Sequence, residues 1–193
     1  GWLDRLGVSD VGSLNEAIKS GRASELILVS EALHEQRIAQ IATWIADGRG
    51  DIRLVLIAGP SSSGKTTFSK RLAVQLLANG LHPFALAMDD YFLDREKTPK
   101  DEKGEYDFES IRALNLERFN TDLLALMAGD EVILSHYDFK TGLSGRGETI
   151  RLPKETVIVV EGIHGLNPEL VPQIPSERVV RIYASALTHL NLD

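Results

Sequence analysis

Leu54-Val55-Leu56-Ile57-Ala58, then Gly59-Pro60-Ser61-Ser62-Ser63-Gly64-Lys65-Thr66-Thr67, is the stretch that decides the fold. Its first five residues are apolar and suit a buried strand, and beyond Thr67 the apolar residues Phe68, Leu72 and Leu76 recur at helical spacing. Strand, glycine-bounded loop and helix in that order make a phosphate-binding loop. Gly59 and Gly64 let the backbone curl so that successive N–H groups face phosphate oxygens. The following helix adds its positive end, and Lys65 supplies a mobile full charge. The Thr66 hydroxyl suits the magnesium that accompanies such phosphates. Gly59, Ser61, Ser62, Ser63, Gly64, Lys65, Thr66 and Thr67 are therefore the expected cradle for ATP and Mg2+.

Working outward, 193 residues suit one domain with a small appendage, and 43% hydrophobic residues are ample for a core. A formal net charge of −7, with basic residues dispersed among acids, argues against a dedicated nucleic-acid binder. The absence of cysteine excludes disulfides and thiolate metal sites and is compatible with a reducing cytoplasm. Apolar runs are only strand-length and no charged-then-apolar leader opens the chain, so the expected setting is cytoplasmic, with no membrane partner. The chain begins at Gly1, which suggests a fragment of a longer protein.

Residues 1–50 read as a helical extension, with Ile38, Ile41, Ala42 and Ile45 on one face. Residues 51–193 read as a second unit in which strands and helices alternate: strand 53–58, helix 65–79, strand 84–88, helix 116–128, strand 156–160 and strand 178–183 leading into a further helix. The expected fold class is α/β, a P-loop NTPase-type parallel sheet flanked by helices. Strands near Glu131–Ser135 and Thr149–Leu152, separated by Gly142, Gly145 and Gly147, predict a β-hairpin excursion with a mobile tip. The charged segment from Tyr91 to Phe108 reads for the most part as a solvated loop.

In open α/β sheets ligands lie at the carboxyl ends of strands, which gives priority to Asp89, Asp90 and Glu161. Glu161 ends the most apolar strand, where a carboxylate calls for a cation or a donor. It reads as a magnesium ligand or as a cap for the turn at Gly162. Asp89 suits proton acceptance or metal binding in phosphoryl transfer, or simply opens a turn with Asp90. The five histidines show no metal-ligand spacing, and only His164 falls near these strand ends.

Taken together, Gly59–Thr67, Met88-Asp89-Asp90-Tyr91-Phe92, Gly104-Glu105-Tyr106-Asp107-Phe108-Glu109, His136-Tyr137-Asp138-Phe139 and Val159-Val160-Glu161-Gly162-Ile163 resemble the uridine kinase and phosphoribulokinase family of P-loop kinases. The resemblance implies transfer of the ATP γ-phosphate to a hydroxyl of a nucleoside, uridine- or cytidine-like, or of a similar small acceptor. It implies catalytic roles for Asp89 and Lys65, magnesium contacts from Thr66, Asp89 and Glu161, and acceptor contacts from Asp90, Phe108, Glu109, Tyr137 and Phe139. Aromatic side chains suit a flat nucleobase. Uridine-cytidine kinases usually show aspartate where this chain has Glu109 and histidine where it has Gly142. A non-nucleoside alcohol such as pantothenate or a sugar phosphate therefore stays open as acceptor, as do a non-catalytic ATP-binding module and a homo-oligomeric state. The family also carries an arginine-bearing lid after the last strand, and the ten residues that follow Tyr183 contain neither arginine nor lysine.

Overall fold

A computed structural model describes residues 6–48 and 51–185. The helix expected after Tyr183 and the end of the first unit at Arg49-Gly50 fall outside the described residues. Asp10 caps α1 (Val11–Lys19) through a reciprocal bond with Ser13, and α2 (Ala23–Asp47) follows. Then come β1 (Leu54–Ala58), α3 (Lys65–Ala78), β2 (Pro83–Ala87), α4 (Leu116–Ala128), β3 (Glu131–Asp138), β4 (Leu143–Arg151), β5 (Val157–Glu161) and β6 (Val179–Tyr183).

Four of the strands form a parallel sheet in the order β2-β5-β1-β6, with Leu54 of β1 opposite Ile158 of β5 and Val179 of β6. The unbroken apolar runs of β1 and β5 follow from burial on both faces. One face packs Leu54, Leu56, Ile158 and Val160 against Phe119, Leu123 and Leu126 of α4. The other packs Val55, Ile57, Val157 and Val159 against Phe68, Leu72 and Leu76 of α3 and Ile38, Ala42 and Ile45 of α2. The stripe of α2 thus enters the same core as the sheet. Glu35 accepts a bond of 2.7 Å from Gln75 Nε2 and lies 3.7 Å from Arg71, which ties α2 along α3.

Two expectations need correction. The hairpin is longer and tighter than predicted: β3 and β4 pair from Glu131–Arg151 to Asp138–Leu143, leaving residues 139–142 as the turn. Gly145 and Gly147 belong to β4 and not to a loose tip, and the register shifts between Ile133 and Ser135, the bulge that a glycine-rich partner accommodates. The 91–108 segment is also less solvated than its charges suggest, because Tyr91, Phe92 and Thr98 are buried. The Tyr91 hydroxyl donates to Asp122 at 3.2 Å, and Arg118 holds that buried carboxylate at 2.8 Å, so the chain after Asp89 is anchored to α4. No described helix is long and apolar enough to cross a membrane.

Candidate active site

The carboxyl ends of β1, β2 and β5 meet at one edge of the sheet, and the phosphate loop fills the space above β1. Ser62 at φ 58 and Gly64 at φ 86 bend the loop so that α3 begins directly beneath it. At Gly59 a Cβ would stand 2.2 Å from the Ala184 carbonyl oxygen and 2.7 Å from Ser63 Oγ, so only glycine lets the end of β6 lie against the loop. Gly59→Ala is an overpacking change against backbone. It should cost about 1–3 kcal/mol of stability, read as a lowered urea midpoint; an unchanged midpoint would show that this approach is loose.

Lys65 Nζ donates to the Pro60 carbonyl at 2.7 Å, arching over the loop. The Thr66 hydroxyl donates to Glu161 Oε1 at 3.0 Å, joining α3 to the end of β5. Glu161 Oε2 and Ser63 Oγ are buried without a hydrogen-bond partner among the described residues. These oxygens fit what the loop implies, a phosphate for Ser63 and a hard cation for Thr66 and Glu161. No group of three or more His, Cys, Asp or Glu side chains that could hold a metal occurs among the described residues. One carboxylate and one hydroxyl, Glu161 and Thr66, are instead the sparse set that Mg2+ takes when phosphate oxygens and waters complete its shell.

Asp89 stands in the 88–91 turn that closes β2. Part of its side chain is open to solvent. Even so, desolvation by the surrounding protein, followed by the charges of Asp90 and Glu161, pushes its pKa above the ordinary carboxylate value, with Lys65 and His164 pulling the other way. Ala87, two residues before Asp89, is paired with Glu161 across β2 and β5, so the register sets Asp89 at the strand end beside Glu161. His164 is half-buried, with Nε2 unpartnered among the described residues; burial lowers its pKa, against a hydrogen bond to the Ser110 backbone and the charges of Asp89 and Asp107. It therefore favours the neutral imidazole.

Asp90 turns to the hairpin. Its Oδ1 accepts from the Tyr137 N–H at 3.2 Å and lies 3.0 Å from His136 Nδ1. Phe92, Phe108, Tyr137 and Phe139 form one aromatic cluster, with Phe92 at 5.3, 5.6 and 6.3 Å from the other three ring centres. Tyr137 is 1% exposed and forms the wall, whereas Phe139, 59% exposed, presents an open ring. Glu109 is exposed, and its N–H donates to the Asp107 side chain.

Sequence reasoning missed two members of this region. Phe92 lay inside the quoted Asp89-Asp90-Tyr91-Phe92 run, and its place two residues after Asp90 was the available signal. Arg95 gave no signal at all. Its Nη2 donates to the Phe139 carbonyl at 2.9 Å, and its guanidinium carbon lies 2.8 Å from where a Cβ on Gly142 would stand. The space a side chain at 142 would take is filled by Arg95.

A parallel sheet with a phosphate loop after its central strand, and acids at the ends of its neighbours, defines a P-loop nucleotide-binding α/β protein. The model of the phosphoribulokinase / uridine kinase family matches residues 54–187, and the chain belongs to that family. The uridine kinase of Ureaplasma parvum serovar 3 (strain ATCC 700970) is 26% identical over 126 residues, 65% of this chain and 60% of that protein. The inorganic pyrophosphatase TTM2 of Arabidopsis thaliana is 26% identical over 156 residues, 81% of this chain but 21% of that one. The structure of a possible uridine kinase from Bacillus stearothermophilus superposes with a TM-score of 0.52 at 26% identity, covering 67% of this chain and 70% of that one. The chain thus spans about 60% of the length of the Ureaplasma relatives it matches.

Proposed function

We propose that this chain carries the catalytic centre of an ATP- and Mg2+-dependent kinase that phosphorylates a hydroxyl of a small acceptor, with a nucleoside as the acceptor class. The convergence of Lys65, the Thr66–Glu161 pair and Asp89 at adjoining strand ends is the observation that carries this reading. The acceptor hydroxyl passes its proton to Asp89 as its oxygen forms a bond to the γ-phosphorus. The bond from that phosphorus to the β,γ-bridging oxygen breaks, and ADP leaves. The raised pKa of Asp89 makes it a better base than an ordinary carboxylate. Lys65 and the loop N–H groups hold the phosphates in line and offset their charge. Thr66 and Glu161 would hold Mg2+, which would supply Lewis-acid stabilisation of the phosphoryl oxygens. Phe139 offers a flat face to a base, with Phe92, Phe108 and Tyr137 behind it.

One observation favours a second reading, a non-nucleoside acceptor such as pantothenate or a sugar phosphate. The Arg95 guanidinium beside Phe139 and Gly142 suits a carboxylate or phosphate better than a neutral ring. An acceptor panel read by ADP formation separates the two. Stimulation by uridine or cytidine supports the nucleoside, stimulation confined to anionic alcohols supports the second reading, and ATP binding without stimulation by any acceptor counts against a kinase.

A further inference from the structure

A cleft of about 830 Å3 opens on the flank of the phosphate loop opposite the acids, between α2 and the edge strand β6. Its volume is that of a small-molecule site. One wall is the stripe His34, Arg37, Ile41 and Trp44, residues three or four apart and so on a single face of α2. The other wall is β6 up to Tyr183, and the inner end is the phosphate loop itself, through Ser63, Gly64 and Thr67. α2 lies outside the region the family model matches. It is nevertheless fixed in place, since Ile38, Ala42 and Ile45 are buried beneath it and Glu35 is bonded to α3.

The charge of this cleft sets it apart. The chain carries a net −7, yet among the described residues every charged side chain lining the cleft is basic, Arg37 and Arg181 with His34 beside them, and no described Asp or Glu lines it. The opposite flank of the loop holds Asp89, Asp90 and Glu161. A nucleotide whose phosphates rest on residues 59–67 must leave the loop on one flank or the other. The acidic flank repels the polyphosphate and is taken by the acceptor; the basic flank attracts it and offers aromatic surfaces on Phe68, Trp44 and Tyr183.

We infer that the nucleoside end of ATP binds in this cleft, and that α2 is a working wall of the nucleotide site, with Arg37 and His34 facing the sugar-phosphate end and Trp44 bounding the base. The inference rests on the ATP reading proposed above, and its test separates the two. Mg-ATP and Mg-tripolyphosphate are titrated calorimetrically into the protein and into a His34→Ala/Arg37→Ala/Trp44→Ala variant. All three side chains are exposed, so the fold is not at stake, and an unchanged unfolding midpoint checks it. ATP affinity should fall about tenfold or more, the scale of a lost base-aromatic contact, while tripolyphosphate, which loses only the charge of Arg37 and has no base to meet Trp44, should fall clearly less. Unchanged ATP affinity, or an equal fall for both ligands, overturns the inference. Failure of the parent protein to bind either ligand overturns the phosphate-loop reading instead. Photolabelling with 8-azido-ATP gives a second measure: label on the 23–47 peptide supports the cleft, and label confined to residues 84–111 refutes it.

Discussion

Asp89→Asn is expected to lower acceptor-stimulated ADP formation by about two to four orders of magnitude, the usual worth of a positioned general base, with Mg-ATP affinity within a few-fold of the parent. An amide keeps the shape of the side chain but cannot take the acceptor's proton. Turnover within a few-fold of the parent would remove Asp89 from the chemistry. The same substitution carries a stability signature of opposite sign. Because the folded protein raises the Asp89 pKa, the fold disfavours the ionised form. What the carboxyl contributes to stability is complete below its ordinary value of 3.8 and is lost as pH rises through the raised value. Above that window, with a chelator present, the Asp89→Asn variant should show a slightly higher unfolding midpoint than the parent, and the difference should vanish as the medium is acidified. The gain is small because part of the side chain remains in solvent. A lower midpoint for the variant at neutral pH would show that Asp89 is held by favourable partners and not by crowded like charges.

Lys65→Ala is expected to weaken Mg-ATP binding by about 1.5–3 kcal/mol, roughly ten- to a hundredfold, as a charge-assisted contact to phosphate is lost. The unfolding midpoint should barely move. Among the described residues Lys65 bonds only to the neighbouring Pro60 carbonyl, and its removal opens no core cavity. Calorimetry is the direct check, and equal affinities for parent and variant would mean that the loop N–H groups alone hold the phosphates. Arg37 on α2 provides an internal comparison. It is basic and lines the same nucleotide path, but belongs to the wall of the cleft and not to the loop. Loss of Lys65 should therefore weaken tripolyphosphate and ATP together, whereas loss of the α2 wall should weaken ATP more than tripolyphosphate.

The sequence by itself determined the phosphate loop, the strand before it and the helix after it, because each depends on residues within one turn or one strand of one another. The strand expected over 156–160 and the helix expected over 116–128 likewise stand as β5 and α4, because each rests on a local run of apolar residues. Spacing alone could not bring the parts of the site together. Thr66 and Glu161, 95 positions apart, meet because β5 lies beside β1 with Glu161 opposite Ile57, and strand order and register are settled by packing across the whole sheet. The hairpin ran past its predicted ends for a related reason: Gly145 and Gly147 look like turn residues to local propensity, but cross-strand pairing around a bulge holds them in β4. Arg95 is legible only in three dimensions, since a long side chain can fill the place left by a glycine 47 residues away in the chain. The α2 wall is the same kind of fact. Periodicity showed which face of that helix is apolar, but only its packing along α3 and beside β6 decided that the next face would look into a cleft beside the phosphate loop.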